Sequence, residues 1–189
     1  MKLSKIIIAY AFVLFLAGCG ASSAQRNNMA VQGSLVGSGQ QYDNSLKSNM
    51  TVIEVSGGKK TNPLWTSEID NPEFKGALED SLKTAGLLGD SATAKYQLKA
   101  ELLKVKNPPF GFDMTVTTEI KYLLTESAGG KEIINKTITA SYTAKVGDAF
   151  VAVKRLRLAN EGSAKMNISE FLKELSNLKI GANQVTVTA

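Results

Sequence analysis

The chain predicts an α+β fold: a mainly antiparallel four- to five-stranded sheet with two helices packed on one face. Three observations carry this. Segments between residues 95 and 146 alternate apolar and polar residues with a period of two, short turn signals separate them, and two other segments repeat apolar residues at helical 3-4 spacing.

In chain order, Met29 to Val36 and Met50 to Val55 are short β-branched runs separated by the Gly- and Ser-rich stretch Gly37 to Ser48. Thr51-Val52-Ile53-Glu54-Val55 is the clearer strand of the two. Gly57 to Asp70 reads as a loop carrying Trp65, the only tryptophan. Asn71-Pro72-Glu73 then reads as a helix start, with Asn71 as N-cap, a proline where no N–H is needed and an acid in the positive first turn. Phe74, Ala77, Leu78, Ser81, Leu82 and Ala85 keep one face of a helix over 72–85, and Gly86 can close it in the left-handed conformation.

A meander follows. Tyr96, Leu98, Ala100 and Leu102 alternate with Lys95, Gln97, Lys99 and Glu101, and Pro108-Pro109 stops the strand. Met114, Val116, Thr118, Ile120, Tyr122 and Leu124 mark one face of the next strand, and Ala128-Gly129-Gly130 turns into a third. There Ile134, Ile138, Ala140, Tyr142 and Ala144 are assigned inward, against Asn135, Thr137, Thr139 and Ser141. Asp148 is the expected cap of a last helical segment from Ala149 to about Leu178, with Gly162-Ser163 expected to kink or split it. The tail Val185-Thr186-Val187-Thr188 reads equally as an edge strand or as disordered chain.

The first residues specify location. Lys2 and Lys5 precede the apolar run Ile6 to Leu16, which has the anatomy of a secretory signal and is shorter than the roughly 20 residues that span a bilayer. Leu16-Ala17-Gly18-Cys19 resembles the bacterial lipobox, and the resemblance implies cleavage before Cys19 and acylation of that residue. One acyl chain binds membranes marginally, whereas two or three hold nearly permanently. Gly20, where enterobacterial sorting places aspartate for inner-membrane retention, implies the periplasmic face of the outer membrane, or the outer face of the cell membrane in a host with one membrane. The resulting division is a signal peptide over 1–18, a lipidated flexible tether over 19–28 and a single domain over 29–189.

Composition narrows the chemistry. Histidine is absent and Cys19 is the only cysteine, so zinc sites, Ser-His-Asp triads, Cys-His dyads and disulfides are not expected. No cofactor or metal is expected either. Loss of Lys2 and Lys5 takes the formal charge from +5 to +3, too weak to imply nucleic acid.

Ser56-Gly57-Gly58-Lys59 has S-x-x-K spacing, but paired glycines oppose the helix that such a serine needs, and no S-D-N or K-T-G follows. The same stretch lacks phosphate-loop spacing. Glu68, Asp70, Glu73, Glu79 and Asp80 read as helix-start preference and a solvated face rather than as a calcium loop. Lys154, Arg155 and Arg157, with Lys165, are a candidate basic band for anionic lipid or an acidic partner; the alternative is a solvated face. Trp65 and Phe110, with Tyr42 and Phe112, place aromatics in loops, where they either anchor a partner or fold back over the core.

The order of strand, helix, three-strand meander and helix behind a lipidated cysteine resembles the small envelope lipoproteins that include the lipopolysaccharide-assembly lipoprotein LptE and the YajG type. It is carried by Leu16 to Cys19, Asn71 to Leu88, Tyr96 to Val105, Tyr122 to Glu126, Gly130 to Ile134 and Asn167 to Leu172, and covers about residues 50–178. Only the lipobox is a specific motif. The expectation is a non-enzymatic accessory or binding subunit of an envelope complex, with a protein partner. The alternatives are a carrier of lipid or another small apolar ligand between helices and sheet and, last, an enzyme using Ser56, Lys59 and carboxylates.

Overall fold

A computed structural model of the chain describes residues 22–33, 41–62, 66–180 and 185–187. The leader 1–18, Cys19, Gly20, residues 34–36 of the first β-branched run, Trp65 and Thr188 lie outside the described residues. The elements are α1 (Arg26–Met29), β1 (Met50–Ser56), α2 (Asn71–Thr84), β2 (Tyr96–Lys106), β3 (Met114–Glu126), β4 (Glu132–Ala144), α3 (Ala152–Ser176), β5 (Leu178–Ile180) and β6 (Val185–Val187). Met29 therefore ends a helical turn and does not open a strand.

The first four strands form one sheet in the order β1-β2-β3-β4, while β5 and β6 make a separate antiparallel pair from the tail. Neighbours from β2 to β4 are antiparallel, as the meander requires, but β1 runs parallel to β2. The sheet is mixed because α2 is a crossover: it carries the chain back along the sheet, so the next strand starts from the same end as the last.

Both long helices cover the same face. Along β2 and β3 the period of two holds, with Tyr96, Leu98, Ala100 and Leu102 and then Met114 through Leu124 at alternate positions buried. A bulge after Leu102 breaks the alternation, so that Leu103 and Lys104 are both exposed. Tyr142 keeps its inner-face assignment, opposite buried Val116 and between Ala140 and Ala144. It lies on the edge strand, half-exposed, with its ring against Gly162 at the rim of the helix layer.

The cap of α2 is one residue earlier than the sequence reading. Asp70 Oδ1 accepts from the Glu73 N–H at 2.9 Å, so Asn71 falls inside the first turn, where its Oδ1 accepts from the Gly58 N–H at 2.7 Å. Gly86, at φ 71°, takes the expected left-handed position past the helix end.

Helix α3 also starts late, with Val151 at its N-cap; Asp148 instead closes the turn after β4, its Oδ2 accepting from the Lys145 N–H at 2.7 Å. The expected break at Gly162-Ser163 does not occur, because these small residues let the helix approach the sheet. A Cβ at Gly162 would collide with the Tyr142 ring. Ser163 Oγ donates to the Ala140 carbonyl at 3.0 Å and lies 2.9 Å from Thr118 Oγ1.

One turn further along α3, buried Asn167 donates to the Ile138 carbonyl at 2.8 Å and accepts from the Tyr122 hydroxyl at 3.0 Å. The Tyr122 ring stacks on Phe171 with centroids 4.1 Å apart and planes within 6°. Burial pushes the Tyr122 pKa up, so its hydroxyl remains a donor. Phe74, Leu78, Leu82, Leu98, Ile120 and Phe171 fill the space between helices and sheet, where the carrier alternative placed its ligand.

Replacing Asn167 with leucine, a side chain of similar size, strands the Tyr122 hydroxyl and the Ile138 carbonyl in an apolar layer. The expected loss is about 2–3 kcal/mol in chemical denaturation. Adding Tyr122→Phe to Asn167→Leu removes one stranded group and recovers part of it; strict additivity of the two losses would refute the coupling.

Candidate functional site

The candidate site is the end of the domain reached by the β2–β3 loop, the β4–α3 loop and the N-terminal segment. Ser22 to Met29 forms a strap along α2 and α3. The Ser67 hydroxyl donates to the Ser22 carbonyl at 2.7 Å, Arg157 Nη1 donates to Ser22 Oγ at 2.6 Å, and the Ala24 N–H donates to the Glu68 carbonyl at 3.0 Å. Ala24, Met29 and Val31 are fully buried. The flexible tether read over 19–28 is thus corrected from Ser22 onward: its small and polar residues are docked.

Acids hold this strap: Glu73 and Asp80, which the sequence assigns to a solvated face, and Glu161, which it leaves unassigned. Glu161, only 2% exposed, accepts from the Gln25 N–H and from Asn28 Nδ2, each at 3.0 Å, and lies 3.6 Å from Arg157 Nε. Such a burial is tolerable because every charge has a partner. Glu73 Oε2 accepts from the Arg26 N–H at 2.6 Å, and the Arg26 guanidinium donates to both oxygens of Asp80. That pair holds the Asp80 carboxyl below the ordinary aspartate range, chiefly through the hydrogen bond from Arg26.

The basic band does not form. At 100° per residue, position 155 points away from 154 and 157, which lie one turn apart. Lys154 is exposed, whereas Arg155 is 6% exposed and its Nη1 donates to the carbonyls of Ala149 and Phe150, each at 2.8 Å. Arg157 clamps Ser22, and Lys165 lines a separate cleft with Tyr142 and Met166. Arg155 is therefore a brace inside the β4–α3 loop, not a surface contact.

Phe110 does not fold back over the core, for its ring is 84% exposed. Phe112, at 86%, and Phe150, at 93%, share this condition. The sequence reading missed Phe150 because it was absorbed into a helix start at Ala149. The two loops are joined, with Asp113 Oδ1 accepting from the Val146 N–H at 3.0 Å. Beneath Phe110 an open cleft of about 660 Å³ is lined by Glu68, Asn107, Pro109, Met114, Val153 and Leu156. Asn107 Nδ2 donates to Glu68 Oε2 at 3.4 Å, which connects the aromatic loop to the loop that grips the strap.

Ser56 and Lys59 are not brought together for chemistry. Ser56 ends β1, Gly57 follows at φ 80°, and the Lys59 N–H donates to the Ile69 carbonyl in an ordinary loop. Among the described residues, no group of three or more acids, cysteines or histidines is arranged to hold a metal, and no helix is long and apolar enough to cross a membrane.

The architecture defines an α+β sandwich of one mixed sheet and one helix layer, with a docked N-terminal strap. It is similar to a Caulobacter crescentus protein provisionally described as a lipoprotein, with a TM-score of 0.50 and 14% identity over 70% of this chain and 90% of that one. A Xanthomonas campestris protein aligns with a TM-score of 0.48 at 11% identity over 65% of this chain and 80% of its own. The PelC dodecamer from Paraburkholderia phytofirmans gives 0.47 at 13% identity over 69% and 90%. No family model and no curated protein matches the chain, so the LptE and YajG resemblance rests on element order. The Caulobacter similarity establishes a shared fold, and fold alone does not carry function.

The depressed Asp80 pKa makes strap docking acid-sensitive. Pairing stabilises the docked state above the unfolded aspartate pKa, and that contribution is lost as pH falls through the lower folded value. Hydrogen exchange at Gln25 and Arg26, corrected for its intrinsic pH dependence, should therefore report more opening below about pH 4. Asp80→Asn should show part of that opening at neutral pH. With the pair one-third to one-half exposed, the effect stays within ~1 kcal/mol. Equal protection in Asp80→Asn and the parent would exclude this role.

Proposed function

We propose that the protein is a lipid-anchored envelope lipoprotein that acts without catalysis, as an accessory or binding subunit positioned at a membrane. The observation that carries the reading is the placement of Leu16-Ala17-Gly18-Cys19 three residues ahead of Ser22, where the chain is already clamped to the body. Gly20 favours the periplasmic face of an outer membrane in a host that has one. The fold shared with a Caulobacter protein itself described as a lipoprotein agrees with this reading.

The binding role draws on the surface. Three exposed phenylalanines mark one end, and the uncovered sheet face is polar, with Thr115 and Thr143 hydroxyls 2.8 Å apart, Thr117 and Ser141 likewise, and Glu54 paired to Lys99 at 2.9 Å. A non-enzymatic role fits a sequence without histidine whose one cysteine is committed to the anchor.

Mass spectrometry of protein from the native host is expected to find Cys19 at the amino terminus, carrying acyl chains. Cys19→Ser should move the protein out of the membrane fraction. A free thiol or an uncut leader would defeat the anchor. Crosslinking in intact envelopes is expected to capture one stoichiometric protein partner, and recovery of the monomer alone would remove the subunit role.

A further inference from the structure

The three exposed rings lie on stiff loops, not on loose ones. Asp113 ties the β2–β3 loop to Val146, Asp148 closes the turn after β4, and Arg155 fixes the carbonyls of Ala149 and Phe150. The core beneath is complete without them, because Met114, Val116, Ala144, Leu156 and Ala159 form their own buried cluster at this end. Large apolar side chains held in water at one end over a finished core mark a contact surface.

What covers that surface follows from where the chain enters the body. Ser22 is held at the same end, by Ser67 and Arg157, beside the cleft that Phe110 overhangs. Three peptide steps separate it from Cys19, a reach of at most ~11 Å. That gap is about the width of one helix with its side chains, so a folded partner does not fit between the body and a bilayer holding Cys19. Lys106, Lys145 and Lys154 stand exposed around this end and suit anionic head groups, with the exposed carboxylates of Asp113 and Asp148 among them, each accepting from a backbone N–H.

We propose that Phe110, Phe112 and Phe150 insert into the head-group region of the membrane that holds Cys19, a second lipid contact that fixes the orientation of the domain. This rests on the acylation of Cys19 proposed above.

The test places an environment-sensitive fluorophore on Phe112→Cys in the acylated protein, reconstituted in phosphatidylcholine–phosphatidylglycerol vesicles. Lys131→Cys, in the turn at the opposite end of the sheet, is the control. The label at 112 should shift to the blue and be quenched by lipids carrying a quencher, and the label at 131 should not. Replacing both Phe110 and Phe150 with serine should abolish the shift. A label at 112 that stays water-like on vesicles overturns the proposal, and if it is shielded only in native envelopes the patch belongs to a protein partner. Mass spectrometry of the same sample reads Cys19. A water-like label on acylated protein overturns the membrane contact and leaves the anchor standing, whereas a free Cys19 removes the anchor and this proposal with it.

Discussion

The hydrogen-bonded seam between α3 and the sheet is the constraint on which the other features depend. Ser163 and Asn167, one turn apart on the inner side of the helix, bind the carbonyls of Ala140 and Ile138 and meet Thr118 and Tyr122 of β3. An apolar helix could slide over an apolar sheet at little cost, but these bonds are directional and buried, so a register shift would strand several polar groups together. The helix is thereby fixed along its axis as well as pressed down. Buried Asn160, on the same stripe, and Arg157 and Glu161 on the flank then stand at set heights, and those residues hold the strap and the loop at Ser67.

The crossover through α2 supplies the other half of the arrangement. Because β1 and β2 run in the same direction, the loop leaving β1 and the loop leaving β2 emerge at one end, where the β4–α3 connection also lies. A purely antiparallel four-strand meander would have divided these loops between two ends. The parallel pair therefore gathers the loop that grips Ser22, the aromatic loop and the braced loop of Phe150 into one surface.

Where packing imposes a simple period, the sequence revealed the structure. The alternation in β2 and β3 is legible because one face is buried and the other wet, and Gly86 and Gly129-Gly130 are legible because left-handed backbone favours glycine. What stayed hidden depends on distant partners. Glu161 and Asp80 look like solvated charges until residues 25–28 are laid over them, and Arg155 looks like a surface cation until the loop before α3 folds back around its guanidinium. Gly162 reads as a helix breaker because propensity counts only its own backbone freedom, whereas the contact with Tyr142 uses its missing side chain. Phe110 and its neighbours were visible as loop aromatics, but direction, inward or outward, is set by whether the core beneath is already full.

Docking of the strap changes what a lipid at Cys19 does. Nine free residues after the anchor would let the body wander ~16 Å from the bilayer and turn in any direction. With Ser22 clamped, only three steps remain, and the proposed covalent anchor would already bear most of the translational cost of any contact made at that end. Rings too few to hold a free protein on a membrane would then suffice to orient a tethered one. Under the proposed acylation, the charges that seat residues 25–28 would thus act on orientation from a distance: they contribute little to overall stability, yet they would decide which end of the molecule lies next to the lipid.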